Sequence, residues 1–307
     1  MRIPPQRNWL ADGRLHLNDG PIDLIIEAFG EATAVERAYA AAWTRFATIL
    51  DELCAELPIL RTQATRTSLH PSGVVGRRMA DAVMPLCADR FITPMAAVAG
   101  AVAEEALDAM TATAPLRRAY VNNGGDIALH LLRDEDFTIG MIDRPDRPSL
   151  IGSARISGHD CVRGVATSGW RGRSFSLGIA DAVTVLASSA AMADAAATLV
   201  ANAVNLPAHP NIRRAPANLR DPQSDLGTQL VTAAVGPLTP REIEEALASG
   251  LDEADRLRRA GRLTAAALQL GGHTLLCGAD GNQSLKLSRT PQQAGALAHQ
   301  CAAVAVM

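Results

Sequence analysis

Lysine is nearly missing from this chain, aromatic side chains are scarce, and no long apolar run occurs. Each shortage narrows what the protein can be. Lys286 is the single lysine among 29 basic residues, so the cationic side chains are guanidiniums. Those 29 are set against 32 acidic residues for a formal net charge of −3, and no basic run exceeds two residues. A nucleic-acid partner is therefore not expected. Asp or Glu interrupts the apolar stretches before they reach the length of a bilayer span, so no membrane segment is expected. The opening residues, MRIPPQRNWLADGR, lack the apolar centre of a secretory signal, which makes a cytoplasmic location the expectation. Cys54, Cys87, Cys161, Cys277 and Cys301 are odd in number and without CxxC spacing, so neither a disulfide framework nor a zinc site is expected.

With aromatics at 3% and apolar residues at 48%, Ala, Leu and Val must form the core, which favours close helix–helix and helix–sheet contact. No shift of composition divides the 307 residues, so one domain spanning residues 1–307 is expected. Helices cluster early, strands occupy the middle, and a strand–helix–strand end follows. That order predicts an α+β fold, with a mostly antiparallel sheet and helices packed against one side of it.

Leu15 to Ile26 reads as a hairpin around Asn-Asp-Gly-Pro. Apolar residues at helical spacing predict a helix over 31–57, stopped by Pro58. A second helix is expected over 74–88, bent near Pro85, and a third from the Thr93-Pro94 start through Met110. The third begins with small residues around Ala99-Gly100. Ala119–Val121 and Ile127–Leu132 read as paired strands joined by Asn122-Asn123-Gly124-Gly125-Asp126. The glycines suit a tight turn, but a carboxylate and two amides exceed what a turn needs. Phe137–Ile142 and Leu150–Ile156 are further strands, and His159 reads as a turn residue. A loop is expected over 207–227, a helix over 239–260, and one strand over 263–277 broken at Gly271-Gly272.

The richest stretch is 162–205. A strand over 162–166 gives way to Thr167-Ser168-Gly169, then to Trp170, Arg171, Arg173, Ser174 and Ser176 among glycines. Hydroxyls, exposed backbone N–H groups and two guanidiniums suit an anionic ligand, a phosphate or a carboxylate. A return strand over 182–187 leads to a helix capped by Ser188 or Ser189. On it Asp194 and Thr198 stand four residues apart and share a face. Spacing alone leaves two readings of that pair open. They are oxygen ligands of a hard cation, or they are an exposed Asp with a Thr bonding back to a carbonyl.

Three motifs in this order, AYVNNGGDIAL, GVATSG and ADAVTVLA followed by ADAAAT, resemble the ApbE superfamily of FAD:protein FMN transferases. The closer likeness is to a branch carrying TSGWRGRSFSLGIADAVTVLA. The resemblance implies an ApbE-like, T-fold-related α+β domain. It implies a flavin-nucleotide pocket (FAD or FMN) lined by Gly124, Gly125, Asp126, Thr167, Ser168 and Gly169, beside which Asn122, Asn123, Arg171, Arg173 and Ser176 are ligand-binding candidates on their own chemistry, the two arginines as anion contacts. It also implies Mg2+ held by Asp194 and Thr198, with the backbone near Ala99-Gly100 approaching the metal. That branch is associated with one-carbon metabolism, cofactor biosynthesis and sulfur transfer. The chain departs from the transferases after TSG, where SFSLGIADAV replaces a segment resembling S-H-I-I-D-P-x-T-G and carries no His. The expectation is thus an ApbE-like protein binding a small anionic ligand. Two alternatives stand beside it, an FMN transferase with a rearranged loop and an acceptor protein, and a non-catalytic binding or assembly protein. Ala-rich helix faces make a homo-oligomer a further expectation.

Overall fold

The computed structural model describes residues 2–65, 71–144, 149–278, 285–287 and 303–305, the last two stretches as backbone alone. The chain opens with β1 (Gln6–Trp9), β2 (Leu15–Asp19) and β3 (Ile22–Gly30), followed by α1 (Ala32–Leu60) and α2 (Val74–Val83). Short 3-10 turns at Met84–Leu86 and Pro94–Ala97 precede α3 (Val98–Thr113). Five strands follow: β4 (Leu116–Asn123), β5 (Asp126–Leu131), β6 (Asp136–Ile142), β7 (Leu150–Ser157) and β8 (Gly164–Ser168). Then come β9 (Ala182–Ala187), α4 (Ala190–Ala203), β10 (Ile212–Pro216), α5 (Ala217–Arg220) and β11 (Leu230–Val235). The described chain closes with α6 (Pro240–Arg259), β12 (Ala265–Leu270), β13 (His273–Cys277), β14 (Leu285–Leu287) and β15 (Ala303–Ala305).

Nine strands form one sheet in the order β1-β2-β3-β4-β5-β8-β9-β12-β13, and every neighbouring pair is antiparallel. Side chains on successive strand residues point to opposite faces, and the two faces are covered differently. Ala119 and Val121 of β4, Ala128 of β5, Ala166 of β8 and Val183 and Val185 of β9 join the core beneath α1, α3, α4 and α6. Their neighbours Tyr120, Ile127, Leu129, Val165 and Leu186 turn the other way. They pack with Phe137 and Ile139 of β6 and Ala154 and Ile156 of β7 in a second cluster. The β6–β7 hairpin belongs to a separate four-stranded sheet, β14-β7-β6-β15, and β10–β11 form a third, two-stranded one. The α+β class and antiparallel main sheet expected from the sequence are therefore present, with helices on one face.

Several elements differ from their expected extents: the helix expected over 74–88 ends at Val83 and gives way to a 3-10 turn at Pro85, the helix expected from Thr93-Pro94 begins with a 3-10 turn, and four others differ as follows. Pro58 lies inside the last turn of α1 instead of stopping it, because that turn is closed beyond it. The Arg61 N–H reaches the Leu57 carbonyl at 2.9 Å, and the Thr62 hydroxyl donates to the Pro58 carbonyl at 2.8 Å. The strand expected over 162–166 is displaced to β8, so Thr167 and Ser168 end it rather than follow it. The loop expected over 207–227 contains β10 and α5, whose polar sequences hid a short hairpin. The strand expected over 263–277 is a hairpin, β12–β13, since Gly271 (φ 57°) and Gly272 (φ 81°) both take the left-handed conformation of a two-residue turn.

The start of α4 is fixed by contacts that leave no space for a side chain. A Cβ at Gly100 of α3 would lie 2.2 Å from the Ala190 carbonyl oxygen, and one at Gly164 of β8 would lie 2.1 Å from the Ser189 oxygen. The Ser189 side chain accepts the Met192 N–H, and Glu104 Oε1 of α3 accepts the Ala191 N–H at 2.9 Å. Backbone thus meets backbone on two sides of one helix end, which places the polar face of α4. Gly164→Ala is expected to destabilise the fold by about 1–3 kcal/mol through overpacking, lowering the melting temperature by about 2–4 °C per kcal/mol. Gly100→Ala is expected to cost less, because alanine recovers about 1 kcal/mol of helix propensity. Thermal unfolding followed by circular dichroism checks both. An unchanged Gly164→Ala melting temperature would contradict the close docking.

Candidate functional site

A cavity of about 320 Å3 opens where the first turn of α3, the polar face of α4 and the ends of β5 and β8 converge. Asp126 reaches it because the Gly124-Gly125 turn brings β5 back in register with β4, pairing Asn123 with Asp126. Both glycines have positive φ, 63° and 111°, and the Asn122 side chain accepts the Gly125 N–H at 2.8 Å. Thr167 and Ser168 arrive from the end of β8, and Arg173, Ser174 and Phe175 from the loop beyond it. Asp194, Thr198 and Asn202 of α4 line the same wall, each four residues from the last. The outer rim is the segment 221–226 between α5 and β11, facing Arg61 and Phe91.

Two carboxylates face this space with little to offset their charge. Asp126 is 8% exposed and accepts the Thr167 N–H at 3.3 Å. Asp194 Oδ2 accepts the Gly100 N–H at 3.1 Å. Burial pushes the Asp126 carboxyl well above its usual range, and the Asp194 charge pushes it further. Burial also pushes Asp194 up, to about 7, while the N–H groups of Gly100 and Ala99 pull the other way. Among the described residues neither carboxylate has a guanidinium partner. Arg173 lines the cavity, but its Nη2 donates to the Pro21 carbonyl at 3.1 Å, a neutral acceptor. The donors offered to a cation are all oxygens, from Asp126, Asp194 and the Thr198 hydroxyl, which suits a hard divalent ion. Among the described residues no group of three or more His, Cys, Asp or Glu side chains converges on a metal position.

The residues singled out in the sequence divide into two sets. Asp126, Thr167, Ser168, Arg173, Asp194 and Thr198 are brought together on the cavity wall. Asn122, Asn123, Gly124, Gly125, Gly169, Arg171 and Ser176 stand behind it. Asn123 donates to the Ala99 carbonyl at 3.1 Å and so ties the β4–β5 turn to α3. A Cβ at Gly124 would lie 3.4 Å from Arg173 Nη1, and one at Gly169 would lie 2.5 Å from the Asp181 carbonyl. Arg171 pairs through Nε with Asp181 at 2.5 Å and stacks on Trp170 at 4.3 Å. Ser176 is buried and bonds to Asn202 at 3.1 Å. Sequence reasoning passed over Asn202, Thr93 and Asp225. The first continued the four-residue spacing of Asp194 and Thr198 and could have been found. The Thr93 hydroxyl, expected to cap the helix behind it, instead bonds Asp225 from a segment 132 residues away, which no local signal announces.

Because Asp194 titrates near 7 in the fold against an ordinary 3.8, its neutral form stabilises the protein. That contribution is complete below about pH 4 and is lost as the pH rises through about 7. Asp194→Asn keeps an oxygen for the Gly100 N–H and removes the titration. In metal-free buffer the variant should melt above the wild type at about pH 8, by about 2–4 °C for each kcal/mol recovered. The gap should close toward about pH 5. Melting curves across this range, with a chelator present, test it, and an Asp194→Asn protein melting lower at the alkaline end would contradict it.

Comparison with known proteins follows the same lines. A family model described as AbpE bacteria matches residues 7–276. The chain is 42% identical over 123 residues to the UPF0280 protein MK0206 of Methanopyrus kandleri, covering 39% of this chain and 47% of that protein. It is 38% identical over 116 residues to a UPF0280 protein of Methanosarcina acetivorans, covering 38% and 44%. A UPF0280 protein of Archaeoglobus fulgidus is 38% identical over 113 residues, covering 37% and 45%. The chain thus spans about half the length of the curated relatives it matches. Among solved structures, the apo form of the Pseudomonas stutzeri flavinyl transferase ApbE covers 90% of this chain and 94% of its own, at 12% identity and a TM-score of 0.36. That likeness is too loose to align site residues. With its pattern matched from residue 7 to residue 276, the chain belongs to the AbpE bacteria family, an ApbE-like family.

Proposed function

We propose that the chain binds a flavin nucleotide, FAD or FMN, together with a divalent cation in the cavity between α3 and α4, as an ApbE-like transferase would. The observation that carries this reading is the pair of carboxylates, buried Asp126 and half-buried Asp194, left without a cationic partner among the described residues on a wall that also holds Arg173. Burying like charges together costs free energy unless a cation joins them. A Mg2+ ion would meet Asp194 and Thr198 on α4 and Asp126 across from them, and would offset the charge of a phosphate. Arg173 would hold an outer phosphate oxygen, since Arg suits such oxyanions. The Thr167 and Ser168 hydroxyls would complete the anion contacts, and Phe91 and Phe175 would offer apolar faces to a ring. Arg171, turned toward Asp181, would act behind the loop and not on the ligand.

Transfer from such a nucleotide to a protein hydroxyl needs a group that takes up or gives a proton. No His lines the cavity among the described residues. Burial pushes the carboxyls of Asp126 and Asp194 above their usual range, and only one not engaged by the cation could carry a proton. Transfer would therefore rely on a carboxyl in this chain. A place in one-carbon or cofactor biosynthesis, and an acceptor protein, belong to the same proposal.

Calorimetric titration of FAD and FMN, with and without Mg2+, tests the reading. Wild type is expected to bind with Mg2+, and to lose at least about tenfold in affinity without it or in Asp194→Ala, equivalent to about 1.4 kcal/mol. Arg173→Ala should weaken binding about tenfold at unchanged Mg2+ dependence, as expected for one lost charge-assisted contact. Binding indifferent to Mg2+ and to Asp194, or no binding at all, would overturn the proposal. Incubation with FAD, Mg2+ and a hydroxyl-bearing acceptor protein, read as a covalently fluorescent acceptor, separates transfer from binding alone.

A further inference from the structure

A buried carboxylate that the site described so far does not use lies at the loop between β8 and β9. Asp181 stands at the mouth of β9, its side chain 10% exposed, outside the cavity. The chain between β8 and β9 makes a loop whose two ends run in contact. The Trp170 N–H donates to the Ala180 carbonyl at 3.0 Å, and only glycine at 169 lets the Asp181 carbonyl approach. Asp181 spans this neck. Its Oδ1 accepts from Arg171 Nε at 2.5 Å, and its Oδ2 accepts the Gly271 N–H at 2.8 Å. The neck is thereby fixed to the β12–β13 turn, which abuts α6, because a Cβ at Gly271 would lie 2.7 Å from Ile243 Cδ1.

Beyond the neck, the loop turns at once, with the Gly172 N–H donating to the Gly169 carbonyl at 3.1 Å, and then presents Arg173. That guanidinium rests on the β2–β3 turn through Pro21 and crosses the bare face of Gly124 on the β4–β5 turn. The sequence Arg171-Gly172-Arg173 therefore divides two charges between two places. One compensates Asp181 behind the loop, and the other remains for the cavity. An Asp buried at the neck without Arg171 would be an unpaired charge. The neck would then open toward water, and Arg173 would lose the frame that aims it.

We propose that Asp181 and Arg171 form a positioning pair that sets the 169–175 loop and, through it, places Arg173 on the cavity wall. The functional half of this rests on the reading of Arg173 as an anion contact given above. The pair does not touch the ligand, so its effect must pass through Arg173 and be absent once Arg173 is removed.

Two variants isolate the pair. Asp181→Asn keeps an oxygen for the Gly271 N–H and gives up the charge that holds Arg171. Arg171→Ala removes the partner from the more accessible side, should the first variant fold poorly. Limited trypsin digestion, quantified as the fragment beginning at Ser174, reads the loop with no ligand present. At a temperature where both remain folded, both variants should release that fragment at least about tenfold faster than wild type, as a local opening would, and Arg171→Ala, which leaves Asp181 unpaired, should melt lower than Asp181→Asn. FMN with Mg2+ should bind each variant about five- to tenfold more weakly, and neither change should weaken it further in an Arg173→Ala background. Unchanged digestion, or losses that multiply with Arg173→Ala, would overturn the proposal. Faster digestion with unaltered FMN affinity would do the same, since the loop would then move without moving the contact. If wild type binds no FMN, the nucleotide reading of the cavity fails, and digestion alone decides whether the pair sets the loop.

Discussion

The geometry of this protein depends on how closely backbone can approach backbone around the first turn of α4. Gly100 on α3 and Gly164 on β8 meet the carbonyls of Ala190 and Ser189 at distances no Cβ would permit. The abundance of alanine belongs to the same design. Ala190, Ala191, Ala193, Ala195, Ala196 and Ala197 of α4 are buried, so the helix lies deep between α3, α6 and the sheet without large side chains to hold it off. A helix seated that deeply turns its few polar residues toward the cavity. Asp194 and Thr198, both half-buried, line it because the face they share is the one not taken up by packing.

Depth has an electrostatic consequence. A carboxylate taken from water into a protein interior loses hydration, and a second one beside it adds repulsion. The fold answers this with dipoles and not with charges. The N–H groups of Gly100 and Ala99 face Asp194, and that of Thr167 faces Asp126. These contacts reduce the penalty without removing it, as the raised titration of both groups records. The contrast with the rest of the molecule is direct. Glu104 and Glu105, also buried, are met by Arg78 and Arg45, with N–O distances of 2.6 to 3.2 Å. Glu253 is met by Arg90 and Arg256. Guanidiniums meet these structural carboxylates, whereas among the described residues none meets Asp126 or Asp194.

Much of the fold was legible in the sequence because its signals are local. The Asn-Asp-Gly-Pro turn marked β2–β3, the Gly-Gly turn joined β4 to β5, and amphipathic periodicity with Pro240 at its start marked α6. The motif residues on the cavity wall were legible too, since Asp126, Thr167 and Asp194 sit at strand ends and on a helix face that the patterns define. What stayed hidden was set by long-range contact. Nothing near Arg171 tells it from Arg173. The difference arises from Asp181, ten residues on, and from the β12–β13 turn that holds Asp181 in place. The hairpin β10–β11 was hidden for a related reason. Ile212–Pro216 reads IRRAP, with one fully buried apolar residue, and is strand only because β11 lies beside it.

If the resemblance to the transferases holds at this loop, SFSLGIADAV in place of a His-bearing segment would change what this place can do. A histidine in ordinary surroundings titrates near neutrality, so it can move a proton with little help from them. A carboxyl does so only where its surroundings raise it, as burial without a cationic partner among the described residues raises Asp194. The same setting is suited to holding a hard cation, which needs the carboxyl ionised. The two uses exclude one another at any instant. With a cation bound, Asp194 is committed to it and the proton must go elsewhere. Asp126, facing Asp194 and raised partly by its charge, is the group whose titration a cation would relieve most. On the proposed reading, proton chemistry and cation binding at this cavity would be linked through one pair of side chains, whereas a separate histidine would keep them apart.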